Sequence, residues 1–314
     1  MTTTEPKPGN RAPQPVSQLG DRIFAGSAKG AGILILVILA GVAAFLLIEA
    51  FPALTASEQE LPNGLLAYVA PLAFGTFLGA VIALVVATPL AVAVALFISH
   101  YAPRRLAQGL SYIVDLLAAV PSIVFGLWGF YTLAPLSVGL STWLNTYLGW
   151  IPLFAGPVST TGRTMLVVGL VLAVMILPII TAVAREVFLQ APKLHEEAAL
   201  ALGAPRWEMI RLAVLPFGRS GVVSGAMLGL GRALGETMAV AIILSASGAV
   251  TVNLISNQNP STIAANIALQ FPEATGIGVS VLIASGLVLF VMTLLVNMLA
   301  RYIVERRRDF SGAN

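Results

Sequence analysis

The sequence predicts an all-α integral membrane protein with six transmembrane helices and both termini in the cytoplasm. The 314 residues are 58% hydrophobic and only 10% charged, with a mean hydropathy of +0.92, whereas soluble domains contain about 25% charged residues. Six apolar stretches reach the length of about 20 residues that a helix needs to cross a bilayer. Basic residues are concentrated between alternate stretches, which predicts the orientation.

The predicted elements follow the chain in order. Residues 1–28 are rich in Pro, Thr, Gln and Gly and are predicted to form a disordered cytoplasmic arm. Residues 29–304 form the transmembrane domain, and residues 305–314 form a basic cytoplasmic tail. Within the domain a polar cytoplasmic loop, residues 185–220, separates the fourth span from the fifth. The predicted spans are 31–50, 71–97, 110–133, 164–184, 221–247 and 277–300.

Two further segments are predicted to lie on the outer side of the membrane. Residues 135–161 contain too many Pro, Gly and polar residues to cross it. The spacing of Trp143, Tyr147 and Trp150 instead predicts an interfacial helix there. Residues 248–276 contain no Lys or Arg and are predicted to be an external loop.

The distribution of basic residues supports this topology. Of the 17 Lys and Arg residues, all except Arg163 and Arg232 fall in the arm, the two internal loops or the tail. Arg163 lies at the outer edge of the fourth span, and Arg232 lies within the fifth. The net charge of +3 and the pI near 9.4 are therefore explained by cytoplasmic loops, and we expect no nucleic-acid partner.

Several kinds of site are not expected in this chain. It has no cysteine, so it has neither a disulfide nor a thiolate metal site. A nucleotide-binding P-loop requires a lysine followed by Ser or Thr, but Lys7, Lys29 and Lys193 are followed by Pro, Gly and Leu. His100 and His195 have no metal-ligating companions and are predicted to be solvated loop residues. We therefore expect no enzyme activity, and any ATP must be hydrolysed by a partner.

The candidate chemistry lies in the fifth span. Arg232 and Glu236 are four residues apart, which would place them on one face of a helix. An arginine inside the bilayer costs at least about 2.5 kcal/mol, so it requires a partner or a water-filled path. We hypothesise that Arg232 contacts a passing anion and that Glu236 is a competing counter-charge; the alternative is a structural ion pair. Asp115, near the start of the third span, either reaches the headgroups or lines the path, and Gly225 and Gly229 favour close helix packing.

A polar interruption, Glu197 to Pro216, lies between the fourth and fifth spans. A helix from Lys193 to Leu202 is predicted to end at a left-handed Gly203, and Pro205 suits the first turn of a second helix. Trp207, Ile210 and Val214 give that helix one apolar side. Two short helices joined by a bend would form a compact projection that suits docking, whereas the alternative is a plain connecting loop.

The amino-acid sequence of this loop resembles a known motif. Its residues Glu197, Ala198, Ala199, Gly203, Leu215 and Pro216 are similar to the EAA loop of ABC-importer permeases. In that family the loop is the coupling helix, which fits a groove of a cytoplasmic ATPase. The resemblance implies that these six residues dock an ATPase.

Two other stretches resemble the phosphate-specific ABC importer permeases. LGRALGETMAV, residues 230–240, is similar to their fifth span, and its ending is closer to the PstC-type than to the PstA-type subunit. Residues 116–126 are similar to their third-span motif, carried here by Pro121, Ser122 and Gly126. The resemblance implies a MetI-like fold in a bacterial plasma membrane. It also implies a translocation path through Arg232 and Glu236, to which we add Asp115.

The same resemblance implies a set of partners. They are a PstA-type permease subunit, a PstB-type ATPase dimer that binds ATP and Mg, a PstS-type phosphate-binding protein, and membrane lipid. No cofactor is expected in this chain itself. The residues alone leave open two alternatives, a permease for sulfate or molybdate and an ATP-independent anion transporter.

Overall fold

The structure, a computed structural model, describes residues 19–57, 61–245 and 247–305. Most of the predicted arm and of the basic tail therefore lies outside the described residues. The first helix already begins at Leu19, so residues 19–28 are helical rather than disordered. The helices are α1 Leu19–Leu54, α2 Gly64–Leu96, α3 Arg104–Ala118, α4 Ser122–Trp128, α5 Ala134–Leu148, α6 Met165–Leu189, α7 Lys193–Ala201, α8 Arg206–Met209, α9 Leu215–Leu234, α10 Met238–Ile243, α11 Ile263–Gln270 and α12 Ile277–Glu305.

Six helical stretches in the described part are long and apolar enough to cross a membrane. This confirms the number of predicted spans and the all-α class, with no strand among the described residues. The chain divides into two compact units, which meet in sequence between Ile48 and Glu49. In the first unit, α1 exposes an almost continuous apolar surface. The remaining stretches are Gly64–Tyr101, Ser122–Leu148, Met165–Leu189, Arg206–Leu234 and Ile277–Tyr302.

The core of the second unit is formed by α2, α6 and α9. Ala80, 83, 87, 91 and 95 are fully buried along α2. Four glycines on α9, at 218, 221, 225 and 229, all face α6. A Cβ at Gly225 would lie 3.2 Å from Val183, and one at Gly229 would lie 3.1 Å from Ile180. The prediction that this glycine pair serves close helix packing is therefore confirmed.

The third span differs from its predicted position. Helix α3 ends at Ala118, and a new helix begins after Pro121, whose backbone is extended (φ −60°, ψ 141°). The long apolar stretch is Ser122–Leu148, not 110–133, and it includes a π-helical turn at Gly129–Leu133. Proline interrupts the helix because its ring disfavours a helical conformation at the residue before it. Residues 135–148 are thus part of the span, and Trp143 and Tyr147 lie exposed on it.

The fifth span also differs from its predicted position. The second helix of the polar interruption does not end but runs on as one stretch, Arg206–Leu234, through a π-helical turn at Ile210–Val214. Pro216 follows this turn, and proline can neither donate to the carbonyl four residues earlier nor fit against it in an α-helix. The helix ends at Leu234, and α10 starts only at Met238. The predicted span 221–247 is therefore wrong at both ends.

Two smaller differences concern α2 and the segment after α10. Helix α2 begins at Gly64 rather than near Pro71, and it contains both Pro71 and Pro89. The predicted external loop is largely buried between 253 and 263. Its backbone meets α2, because the hydroxyl of Thr76 accepts a hydrogen bond from the N–H of Ile263 at 2.9 Å. This segment is thus part of the packed fold.

Candidate functional site

Two interruptions of the helices lie next to each other. One is the gap between α3 and α4, residues 119–121, and the other is the gap between α9 and α10, residues 235–237. Arg232 connects them, because its Nη1 donates a 3.5 Å hydrogen bond to the carbonyl oxygen of Ala118. That carbonyl belongs to the last turn of α3, where the helix dipole is negative. The half-buried guanidinium is therefore compensated by a helix end.

Helix α10 packs against the helix that follows the first gap because two glycines allow it. A Cβ at Gly126 would lie 2.9 Å from the Cα of Ala239, and one at Gly129 would lie 2.6 Å from Ile243. Pro121 starts this helix, and Ser122 is half-buried in its first turn. The third-span motif thus has a local explanation. Pro121 interrupts the helix, and Gly126 allows α10 to pack closely against the helix that follows.

Glu236 lies in the second gap and is only 8% exposed. Its Oε1 accepts a 3.2 Å hydrogen bond from the N–H of Ala239, so the carboxylate caps the start of α10. The helix that carries Arg232 has already ended at Leu234, so the two charged residues do not share a helix face. Among the described residues no carboxylate lies within 4.0 Å of Arg232. The prediction of a same-face pair that neutralises Arg232 is wrong.

The two gaps open onto the surface of this chain. Asp115, Pro121, Gly235 and Met238 are all exposed. Asp115 lies on α3, one turn before the carbonyl that Arg232 contacts. Asp115 forms no hydrogen bond or ion pair with Arg232 or Glu236, so its place in a path stays a prediction.

Arg163 is a residue of this region that the sequence argument did not place in the site. Its Nε donates a 3.1 Å hydrogen bond to the carbonyl oxygen of Ile243, the last residue of α10. Its guanidinium lies over the ring of Phe130 at 5.3 Å from the centroid. Its position could have pointed to a special role, because it is a basic residue at the outer edge of a predicted span.

The polar interruption has the predicted conformation around Gly203. Helix α7 ends with Gly203 at φ +87°. The N–H of Gly203 bonds to the carbonyl of Leu200 at 2.9 Å, and the N–H of Ala204 bonds to that of Ala199 at 3.1 Å. These two bonds form a Schellman motif, which confirms the left-handed end of the helix.

We call α7 and the bend Leu202–Pro205 the knob. Its surface is exposed and partly apolar: Leu202 is 90% exposed, and Leu194 and Leu200 are also exposed. Glu197 and Ala198 are exposed, whereas Ala199 is half-buried. The knob thus presents a mixed apolar and acidic surface.

The knob is anchored by the stretch that follows it. Ile210 and Val214 are fully buried against Phe188 at the end of α6, as the predicted apolar side requires. Trp207, predicted to share that side, is instead 57% exposed. Leu215 is half-buried, and Pro216 is exposed at the start of α9.

One contact joins the knob to the π-helical turn Phe97–Tyr101, which follows α2. His100 Nε2 lies 3.6 Å from Glu196 Oε1, and His100 Nδ1 lies 2.7 Å from the hydroxyl of Ser99. The His100 side chain is only 10% exposed, so the prediction of a solvated residue is wrong for His100. His195 is exposed, as predicted.

Comparison with known proteins places this architecture in a family. Residues 87–309 match the family model described as binding-protein-dependent transport system inner membrane component. The chain is 47% identical over 302 residues to the phosphate transport system permease protein PstC 2 of Mycobacterium tuberculosis, covering 90% of this chain and 91% of the relative. It is 38% identical over 309 residues to the protein named PstC in Mesorhizobium japonicum, covering 94% and 93%.

Solved structures support the fold. A chain of a bacterial alginate ABC transporter matches with a TM-score of 0.58 at 15% identity, covering 93% of this chain and all of that one. A chain of the MetNI methionine ABC transporter matches with a TM-score of 0.50 at 20% identity, covering 78% and 95%. The six apolar stretches and the matching family together indicate a multi-pass protein of the bacterial plasma membrane. The chain belongs to the family of inner membrane components of binding-protein-dependent transport systems, with a MetI-like ABC permease fold.

Proposed function

We propose that this chain is the PstC-type transmembrane subunit of an ATP-driven phosphate importer and forms half of its translocation path. The observation that carries the proposal is the pair of adjacent helix gaps bridged by Arg232. The high identity to relatives named as phosphate permeases over nine-tenths of the chain supports phosphate as the substrate.

Arg232 suits a tetrahedral oxyanion for two reasons. Its planar guanidinium presents several N–H donors, and the recorded bond to Ala118 uses only one of its nitrogens. No carboxylate among the described residues competes for it within 4.0 Å. A cation compensated only by a helix end remains attractive to an anion.

Glu236 has a different task in this proposal. Its carboxylate is fixed at the start of α10 and is not available as a direct partner of Arg232. A buried negative charge close to the path weakens the binding of an anion that has reached Arg232. Transport requires that binding be weak enough for release, so we assign Glu236 the role of a fixed counter-charge.

The exposed position of both gaps supports a second transmembrane subunit. Asp115, Pro121 and Gly235 would line a path only when another chain covers this face. We propose that a PstA-type subunit supplies the opposite wall. Lipid is a poor alternative, because the exposed carboxylate of Asp115 would be costly in hydrocarbon.

The knob provides the link to ATP. Its exposed leucines, together with Glu197, suit insertion into a groove of an ATPase, while Ile210 and Val214 transmit the contact to α6. The basic loops support a cytoplasmic location for the knob and both termini. We propose that a PstB-type ATPase dimer binds ATP and Mg there and that a PstS-type protein delivers phosphate on the outer side.

The test is reconstitution in vesicles with PstA-, PstB- and PstS-type partners. We expect ATP-dependent phosphate uptake only with the full set, and sulfate and molybdate should compete poorly. Efficient competition by either would reassign the substrate to another oxyanion. Gradient-driven uptake by this chain alone would replace the proposal with an ATP-independent transporter.

A further inference from the structure

Side chains of opposite charge bind the two ends of the short helix α10. At its start, Glu236 accepts a hydrogen bond from the N–H of Ala239. At its end, Arg163 donates to the carbonyl of Ile243. A carboxylate at the N-terminus and a cation at the C-terminus both complement the helix dipole. Both charges therefore stabilise α10 in the position the structure describes.

The neighbouring helix α6 does not explain the location of Arg163. It lies directly before Thr164, the N-cap of α6, where the helix dipole disfavours a cation. No carboxylate among the described residues lies within 4.0 Å of it. Its contacts are instead with Phe130 and Ile243, on the two neighbouring helical segments. The interactions that favour an arginine at this position thus belong to α10 and the π-helical turn beside it.

A helix of six residues needs such support. Helices this short are not stable by themselves, and α10 is bounded by a gap on one side and non-helical chain on the other. Gly126 and Gly129 bring the neighbouring helix close enough to pack against α10, but packing does not satisfy the carbonyls of its last turn. The N–H of Leu244 bonds to the carbonyl of Val240 at 2.9 Å, and the carbonyls after it need other donors. Arg163 satisfies one of these carbonyls.

We propose that Arg163 is a positioning residue for transport: it fixes the end of α10 and thereby holds Glu236 and the gap at 235–237 in place. The inference rests on the proposed function, because the role of Glu236 belongs to that proposal. Arg163 acts through α10 and not by binding the anion. Its loss should therefore slow transport without weakening the apparent affinity for phosphate.

The test compares Arg163→Gln with Arg301→Gln in the reconstituted complex; Arg301 is an exposed arginine of α12. We expect Arg163→Gln to lower the maximal rate of ATP-driven phosphate uptake about tenfold, the factor expected from losing one charge-assisted hydrogen bond. The half-saturating phosphate concentration should not rise, and the phosphate-to-sulfate selectivity and ATPase association should not change. Arg301→Gln should resemble the unsubstituted protein.

A second readout reports the gap directly. The chain contains no cysteine, so Thr237→Cys introduces a single labelling site in the gap. We expect Arg163→Gln to raise its rate of maleimide labelling about tenfold, because α10 opens more often. This measurement requires only the purified chain, so it remains informative if the unsubstituted complex fails to transport phosphate. Such a failure would refute the proposed function, not this positioning role.

Several outcomes would overturn the inference. A raised half-saturating concentration or altered selectivity, with unchanged labelling, would make Arg163 an anion-binding residue. Unchanged uptake and labelling would remove any role. If Arg163→Gln does not assemble, Phe130→Leu removes only the ring beneath the guanidinium, and we expect a smaller increase in labelling. Unchanged labelling in that variant would assign Arg163 to folding alone.

Discussion

Gly75 offers a sharp test of how the buried segment 253–263 is held. A Cβ at this position would lie 2.9 Å from the carbonyl oxygen of Pro260 and nearer still to that of Ser261. Carbon–oxygen contacts in proteins are ordinarily no shorter than about 3.3 Å, so Gly75→Ala must displace a backbone by at least roughly 0.4 Å. Gly79 lies one turn away on α2, and a Cβ there would meet only side chains at ordinary distances, the nearest being Met165 at 3.5 Å.

The two substitutions form a matched pair. Both replace a buried glycine of one helix with alanine, so the gain in helix propensity, about 1 kcal/mol, cancels between them. What remains is the overpacking at Gly75, which typically costs about 1–3 kcal/mol. We therefore expect Gly75→Ala to be less stable than Gly79→Ala by that amount. Gly79→Ala should be at least as stable as the unsubstituted protein.

The assay is thermal or SDS-induced unfolding of the purified chain in detergent, followed by tryptophan fluorescence. Equal unfolding midpoints for the two variants would refute the reasoning. That result would mean that the 260–261 backbone does not press against α2. In that case, the amide of Ile263 should also show no protection from hydrogen–deuterium exchange.

Four further predictions each concern a single residue. Thr76→Val removes the acceptor of the buried Ile263 N–H and should destabilise the chain by about 1–3 kcal/mol, whereas Thr76→Ser should be nearly neutral in the same unfolding assay. Gly203→Ala should cost about 1–2 kcal/mol at a left-handed position and weaken ATPase association in a pull-down, whereas Gly203→Asn should be tolerated better. Glu197→Lys should abolish that association without loss of membrane insertion, and unchanged binding would contradict the docking role of the knob. Arg232→Gln should abolish phosphate uptake while the complex still purifies intact; normal uptake would leave Arg232 as a packing residue.

Local features were predicted well because their causes are local. The end of α7 depends on the freedom of Gly203 to adopt a positive φ, and that freedom is a property of one residue. The number of apolar stretches depends on composition alone, so it also agreed with the structure. Packing of Gly225 and Gly229 followed from their lack of side chains.

The site itself was predicted only in part. Arg232 and Glu236 were selected as charged residues near one another in sequence, but their predicted geometry assumed an unbroken helix. Average hydropathy does not detect the gap at 235–237, and it placed the third span across Pro121 for the same reason. The contact of Arg163 with Ile243 joins residues 80 positions apart, and such a pairing leaves no periodic signal in the sequence.

The π-helical turn Ile210–Val214 has a consequence for how this chain should align with others. A bond from residue i to i+5 encloses one residue more than the α-helical bond, so this turn contains one extra residue. Removing a single residue there would restore an α-helix. The knob before the turn and α9 after it would keep their positions relative to each other. We therefore expect that members of the family with one residue fewer between the EAA motif and the Leu-Pro pair keep the same architecture. A gap of that size in an alignment would mark a change of helix type, not the loss of a structural element.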